Sequence, residues 1–329
     1  MEAAFVERLG APGEIRIGLL PRPAPGPTDV LVRVELTTVN PVDALVRSGA
    51  FVTPVPLPLV LSRDAVGTVA EAGEATGFTV GEPVWTNSLG HGGRQGAAAQ
   101  YAAVAVDRLY RLPPGVDPTA AVTVLHPGAT AWLALFRHGR LRPGETVVVV
   151  GAAGNVGGAV VAFAAEAGAR VLALARPADA EYCRALGAAE VLDYRDPSLA
   201  GAVARAAPGG AALVVDAAGR NDLAWAVEVL APRGRLVLLA GGAGGGDRPV
   251  LPVAAFYQRD LTVRGFVISR ATVDELAEAA VGVNRLLSAG RLASRRTAVR
   301  PLSAIVEEHR RVTDGTTHGR RVALRTSAH

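Results

Sequence analysis

A chain of 329 residues, half of them hydrophobic, has enough apolar surface for two domains of ordinary size. Its single cysteine, Cys183, excludes an intramolecular disulfide and a four-cysteine zinc site. All 34 basic residues are arginine against 30 acidic ones, so the pI near 9.8 rests on a net charge of only +4, dispersed along the chain. The apolar runs at 147–150 and 159–165 are too short or too glycine-interrupted to span a bilayer. Residues 1–8 carry Glu2 and Glu7 and lack the basic-then-apolar order of a signal peptide, which makes a reducing, cytoplasmic setting the expectation.

Residues 1–125 predict a β-rich domain. Segments 15–17, 29–36 and 65–71 alternate or run apolar between proline and glycine breaks, and 81–84 and 100–106 continue the pattern. The segment 36–46 changes character at Asn40-Pro41. From His126 the rhythm becomes one of alternating strand and helix. Residues 146–150 form a continuous β-branched run, as in a strand buried on both faces of a parallel sheet. Helical stretches at 157–166, 178–186, 199–206 and 223–230 alternate with strands at 170–175, 190–192, 212–215 and 235–239, and the run 261–268 completes six strands. Residues 126–268 therefore predict a doubly wound parallel α/β domain. Residues 269–329 read as a return to the first domain: helix 272–287, a strand near 297–299, a helix from Ser303 and a last strand at 321–324.

The most informative stretch is Val150-Gly151-Ala152-Ala153-Gly154-Asn155-Val156-Gly157. It follows a buried strand and opens a helix, which is the setting a dinucleotide-binding glycine loop requires. Glycine permits the tight turn and a close backbone approach to a pyrophosphate, and the helix amides then face the anion. The second strand ends in Ala173-Leu174-Ala175-Arg176, without the carboxylate that accepts from an NAD ribose. A guanidinium there suits a 2′-phosphate, so Arg176 favours NADPH.

These motifs join others along the chain: Val39-Asn40-Pro41-Val42-Asp43 with Arg47-Ser48-Gly49, Leu186-Gly187-Ala188 leading to Val191-Leu192-Asp193-Tyr194, Gly265-Phe266-Val267, and Gly319-Arg320-Arg321-Val322-Ala323-Leu324. In this set and order the chain resembles the zinc-independent quinone oxidoreductase branch of the medium-chain dehydrogenase/reductase superfamily, the branch that includes zeta-crystallin. The resemblance implies a Rossmann domain at 126–268 and a GroES-like catalytic domain from 1–125 completed by 269–329, with the active site in a cleft. It implies a homodimer joined through the run 261–268. It also implies that Gly154, Asn155 and Val156 lie on the pyrophosphate, within the loop bounded by Gly151 and Gly157. Arg176 and Tyr194 would lie near the 2′-phosphate, Thr130 and Asn40 near the nicotinamide, and Ala217, Gly241 and Phe266 along the cofactor.

Zinc-dependent relatives place cysteine, histidine and cysteine where this chain has Asn40, Arg63 and His126, so no metal is expected: one ligand beside a guanidinium falls short of the three a catalytic zinc needs. The tyrosines that relatives carry near the Asn-Pro-Val-Asp segment are here Leu45 and Phe51, neither able to donate a proton. His126 reads as a cleft-lining donor with a near-neutral pKa or as a hydrogen-bonded structural residue. His91, in a glycine-rich loop, reads as a substrate contact or as a surface residue. Asp43 and Arg47 fit an ion pair or a cap, and Phe51 fits the core or an apolar substrate pocket. The leading expectation is an NADPH-dependent reductase of a quinone or an α,β-unsaturated carbonyl. The alternatives are a biosynthetic tailoring reductase with altered chemistry and a low-turnover NADPH-sensing or RNA-binding protein, the last supported only by the arginines in 291–300 and 310–325.

Overall fold

The computed structural model describes residues 1–241, 248–317 and 319–326. Strands β1 (Glu2–Val6), β2 (Arg16–Leu19) and β3 (Asp29–Thr37) open the chain, followed by helix α1 (Pro41–Ser48), then β4 (Leu59–Val60), β5 (Ala65–Ala72), β6 (Pro83–Thr86), β7 (Tyr101–Ala105) and β8 (Tyr110–Arg111). A helical run follows that the proline and glycine punctuation did not announce: α2 (Pro118–Val122), α3 (Leu125–Trp132) and a π-helical turn at Leu133–His138. Pro118 and Pro127 both sit in first turns, where a missing N–H costs nothing. Nor was β1 foreseen; five residues at the start of the chain carry no turn signal ahead of them.

The α/β part runs β9 (Thr146–Val150), α4 (Asn155–Glu166), β10 (Arg170–Ala175), α5 (Ala180–Ala185), β11 (Glu190–Asp193), α6 (Leu199–Ala206), β12 (Ala211–Asp216), α7 (Leu223–Val229), β13 (Leu230–Leu238), α8 (Val253–Gln258) and β14 (Thr262–Gly265). The chain then returns through α9 (Val273–Ser288), β15 (Arg296–Pro301), α10 (Ile305–Thr313) and β16 (Arg320–Arg325). Backbone contacts divide these elements into two units, Met1–His126 with Leu276–His329, and Pro127–Glu275.

The second unit is a Rossmann fold. Its six strands are parallel and ordered β11-β10-β9-β12-β13-β14, with the sequence order reversing at β9. Every residue from Val147 to Val150 is buried, since both faces are covered. Val148, Val150, Leu172, Leu174, Val214 and Leu236 pack into one core with Leu199 and Val203 of α6 and Ala226 and Val227 of α7. Strand β14 covers only four residues, fewer than the run 261–268 suggests, and forms an edge of the sheet.

The first unit is the β-rich, GroES-like one. Its long strand β3 pairs along one side with β5 and along the other with β7 at residues 29–33 and with β16 at residues 36–37. Strands β15 and β16 run parallel and so join the C-terminal segment to the sheet built by the N-terminal one. A second small sheet, β2-β1-β4, packs Phe5, Val6, Leu59 and Val60 against Ile305 of α10 and Leu324 of β16.

Inside this unit His309 of α10 is wholly buried, and neither ring nitrogen has a hydrogen-bond partner among the described residues. Burial, with the Arg47 guanidinium nearby, pushes its pKa down to about 3. An unfolded histidine titrates near 6.5, so on acidification the unfolded chain takes up this proton first. The stability His309 contributes as a neutral group is intact above about pH 6.5 and declines as pH falls toward 3. Urea unfolding at several pH values should show the His309→Leu variant losing stability between pH 6 and 4 less steeply than the parent, by about 1.4 kcal/mol per pH unit.

Candidate functional site

The turn after β9 is built for backbone rather than side chains. Gly151 has φ +77°, and a Cβ there would lie 2.9 Å from that of Ala218. A Cβ on Gly157 would lie 2.1 Å from the carbonyl oxygen of Gly151, so α4 can approach β9 this closely only with glycine at that position. Gly154 caps α4 in an extended conformation with no side chain over the helix end. The first-turn amides of Asn155, Val156 and Gly157 have no acceptor within the helix, and the helix dipole makes them suited to an anion. The residues therefore fit a dinucleotide pyrophosphate.

Beside this turn a cavity of about 270 Å³ lies within the Rossmann unit, lined by Val150, Leu174, Tyr194, Asp216, Arg220 and Trp225 among others. Asp216 accepts from the amides of Ala218 (3.0 Å), Gly219 (2.9 Å) and Asn221 (2.7 Å), which fixes the turn carrying Ala217. The Ala217 amide in turn donates to the Val150 carbonyl at 3.1 Å. Arg176 follows β10, its Nε donating to the buried Asp179 carboxylate at 2.9 Å. Two guanidinium groups flank Tyr194: that of Arg195, paired with Asp193 at 2.8 Å, lies 6.0 Å and that of Arg220 5.7 Å from the ring centroid. The sequence motifs found Arg176 and Tyr194 but missed Arg195, Arg220, Asp216 and Trp225, which belong to no recognisable spacing. Gly241 is exposed beyond β13, and Phe266, beyond β14, stacks on His138 with centroids 4.1 Å apart. Neither lines the cavity. Thr130 is buried on α3.

The GroES-like unit holds a second group of expected residues in a buried polar network. Asn40 precedes α1, and its amide donates to Asp43 Oδ2 at 2.7 Å. Its side chain donates to Asp64 Oδ2 at 2.9 Å and accepts from Arg321 Nη2 at 2.7 Å. Arg321 also reaches the carbonyls of Val39 (3.1 Å) and Thr123 (3.3 Å). Asp43 pairs with Arg63 at 3.4 Å, and not with Arg47, whose guanidinium instead bonds the Gly10 carbonyl and the Thr313 hydroxyl. Burial raises the Asp64 pKa to about 7 and raises that of Asp43 as well, against the pull of Arg63 and Arg321.

Both histidines depart from expectation. Burial, reinforced by Arg63, Arg321 and His91, drives the His126 pKa well below its ordinary value, so a near-neutral titration does not hold. His91 is buried rather than on the surface. Its Nδ1 faces the Leu89 carbonyl at 3.1 Å and must carry the proton, because a carbonyl only accepts. Its Nε2 then accepts from Arg94 Nη2 at 3.1 Å. Burial and the nearby arginines lower the His91 pKa to about 3. Both rings are neutral at physiological pH. Phe51 packs against the core cluster that contains Val39, Val46 and Leu59, and Leu45 is exposed. The positions Asn40, Arg63 and His126 do not fit a zinc ion: Arg63 fills the middle one with a buried cation paired to Asp43, which leaves His126 as one ordinary zinc ligand of the three a catalytic site needs.

A Rossmann unit inserted within a GroES-like unit defines a dinucleotide-binding dehydrogenase of the medium-chain type. The comparisons agree: residues 26–114 match the alcohol dehydrogenase GroES-like domain, and residues 155–282 match the zinc-binding dehydrogenase family. A quinone oxidoreductase of Pseudomonas aeruginosa is 32% identical over 223 residues, 67% of either chain. A solved NAD-dependent alcohol dehydrogenase superposes with TM-score 0.88 at 28% identity, covering 99% of this chain and 100% of that one. A mycobacterial protein solved with NADPH superposes with TM-score 0.82 at 26% identity, covering 99% of each. The chain belongs to the quinone oxidoreductase branch of the medium-chain dehydrogenase/reductase superfamily.

Gly157→Val places its side chain on the Gly151 carbonyl. The variant should lose dinucleotide affinity by at least roughly tenfold in a fluorescence titration while keeping the circular dichroism of the parent.

Proposed function

We propose that the chain is an NADPH-dependent, zinc-free reductase of a quinone or an α,β-unsaturated carbonyl. The observation that carries the cofactor choice is Arg176 directly after β10, where no carboxylate stands at the strand end, with Arg220 on the cavity wall and 5.7 Å from the Tyr194 ring. A guanidinium has five N–H donors, and Asp179 engages only two groups of Arg176, leaving N–H donors for a 2′-phosphate. The names of the relatives, quinone oxidoreductases among them, support the substrate class.

NADPH would supply the hydride. The amides of Asn155 and Val156 would hold the pyrophosphate beside Gly154, whose own amide donates to the Gly151 carbonyl at 2.9 Å. The cavity lined by Val150, Leu174 and Tyr194 would hold the adenosine, and Asn40 and Thr130 the nicotinamide. Asn40 is suited to orientation because Asp64 and Arg321 fix its amide in one sense. Reduction of a carbonyl-conjugated substrate leaves negative charge on oxygen. A neutral His126 acts there as a hydrogen-bond donor rather than as an imidazolium acid, and water completes the protonation. We further propose a cytoplasmic homodimer that continues the Rossmann sheet across the β14 edge, beside which Tyr257 of α8 is exposed.

Steady-state assays with a panel of quinones and enones test the reading; inactivity of the NADPH-saturated enzyme on the whole panel would sink it. Arg176→Ala should raise KM for NADPH by roughly tenfold or more and leave KM for NADH nearly unchanged. The pH profile separates the titrating groups. Asp64 is neutral below about pH 7 and charged above, whereas His126 stays neutral throughout. An inflection of kcat/KM near pH 7 should therefore persist in His126→Gln and vanish in Asp64→Asn.

A further inference from the structure

A second cavity, of about 370 Å³, lies within the GroES-like unit and shares no lining residue with the one in the Rossmann unit. Its volume falls in the range of small-molecule sites. Its walls are largely apolar, with Met1, Leu20, Pro21, Pro58, Val60 and Tyr101 among them. Along β7, Ala102 and Val104 are buried, while Tyr101, Ala103 and Ala105 alternate with them and are partly exposed. Two of those three outward positions carry only a methyl group, which leaves a trough beside the tyrosine ring.

The polar side chains on the wall are Asp29, Arg94, Gln95 and Tyr101, whose ring has the Arg22 guanidinium over it at 4.3 Å. Asp29 Oδ2 accepts from the Gly26 amide at 3.0 Å. Gln95 is engaged at both ends, accepting from the Val60 amide at 2.7 Å and donating to the Pro58 carbonyl at 2.9 Å. Arg94 is different. Its Nε donates to the Ser88 carbonyl at 2.8 Å and its Nη2 to His91 Nε2 at 3.1 Å, two neutral acceptors that hold the guanidinium in place. It forms no ion pair among the described residues, and the charges closest in effect are Arg108 and Arg63, followed by Asp107. Burial and those two arginines lower its pKa, so the site holds a cation that lacks its anion.

We propose that this cavity binds a small apolar carboxylic acid, its carboxylate on the Arg94 guanidinium and its hydrocarbon body in the trough over Ala103 and Ala105. The guanidinium matches a carboxylate in geometry and charge, and the trough over Ala103 and Ala105 offers an alkyl or aryl body apolar contact. Asp29 also lines the cavity, which disfavours a second negative charge on the ligand and favours a monoanion.

The experiment is calorimetric titration of the full chain, without dinucleotide, by butyrate, hexanoate and octanoate. Saturable binding at one site should tighten by roughly fourfold for each methylene added. Octanol, with the same body and no charge, should bind at least roughly tenfold more weakly than octanoate. Arg94→Gln should lose a similar factor. Because that change also touches His91, Ala103→Leu serves as an independent variant: it fills the trough, leaves the Arg94 contacts intact, and should weaken octanoate as well. Absence of saturable octanoate binding overturns the proposal. Equal binding of octanol and octanoate, or octanoate binding unchanged in both variants, also overturns it. No nucleotide enters the measurement, so failure here is distinct from failure of the reductase reading.

Discussion

A buried guanidinium holds the two separated stretches of the GroES-like unit at one point. Arg321 stands on β16, 281 residues from Asn40, and both are almost wholly buried. A charge out of water persists only when its donors are met, and here the Asn40 side chain and the Val39 and Thr123 carbonyls meet them. Asn40 is bound on its other side to Asp64, and its amide to Asp43, so the start of α1, the strand β16 and the segment just before His126 are pinned together. A lysine at position 321 would offer a point charge where three separate acceptors are met by three different guanidinium nitrogens, and burial would strip its proton more readily. The C-terminal return is thus a chemical requirement of the network around Asn40 as well as a closure of the sheet.

The Rossmann half was legible because its signals are local. A β-branched run, a glycine turn and an alanine-rich helix follow one another within 21 residues, from Thr146 to Glu166, and each has a steric reason that needs no distant partner. The polar network was only half legible. Asn40, Asp43, Arg63 and His126 stood out through a motif or through the resemblance. Asp64 did not, and Arg321 was seen only as part of a closing motif with no role, since each is a polar residue beside or within a strand whose partner lies 24 or 281 residues away. The α2–α3 run was hidden by prolines that a helix start tolerates. Arg94 was passed over for the neighbouring His91, because a sequence shows a titratable ring but not whether its nitrogens are already taken. Desolvation is likewise invisible: His126 was expected to titrate near neutrality, and only the packing around it, with Arg63 and Arg321, shows otherwise.

The absence of lysine gives these features a common cause. A buried lysine can shed its charge, whereas arginine keeps its proton in nearly every protein setting, so each buried arginine is a permanent positive charge. Every deeply placed histidine among the described residues feels one: His126 from Arg63 and Arg321, His91 from Arg63 and Arg94, and His309 from Arg47. Desolvation and this repulsion act in the same direction, and the imidazoles are held neutral far below the pH at which a histidine ordinarily titrates. These three rings do not serve as imidazolium acids near neutral pH, and what a neutral ring retains is an N–H that can be given to an acceptor without being lost. On the proposed reading such a donor would stabilise charge as it develops on a substrate oxygen and leave the proton itself to solvent, which is consistent with Leu45 and Phe51 offering no phenol.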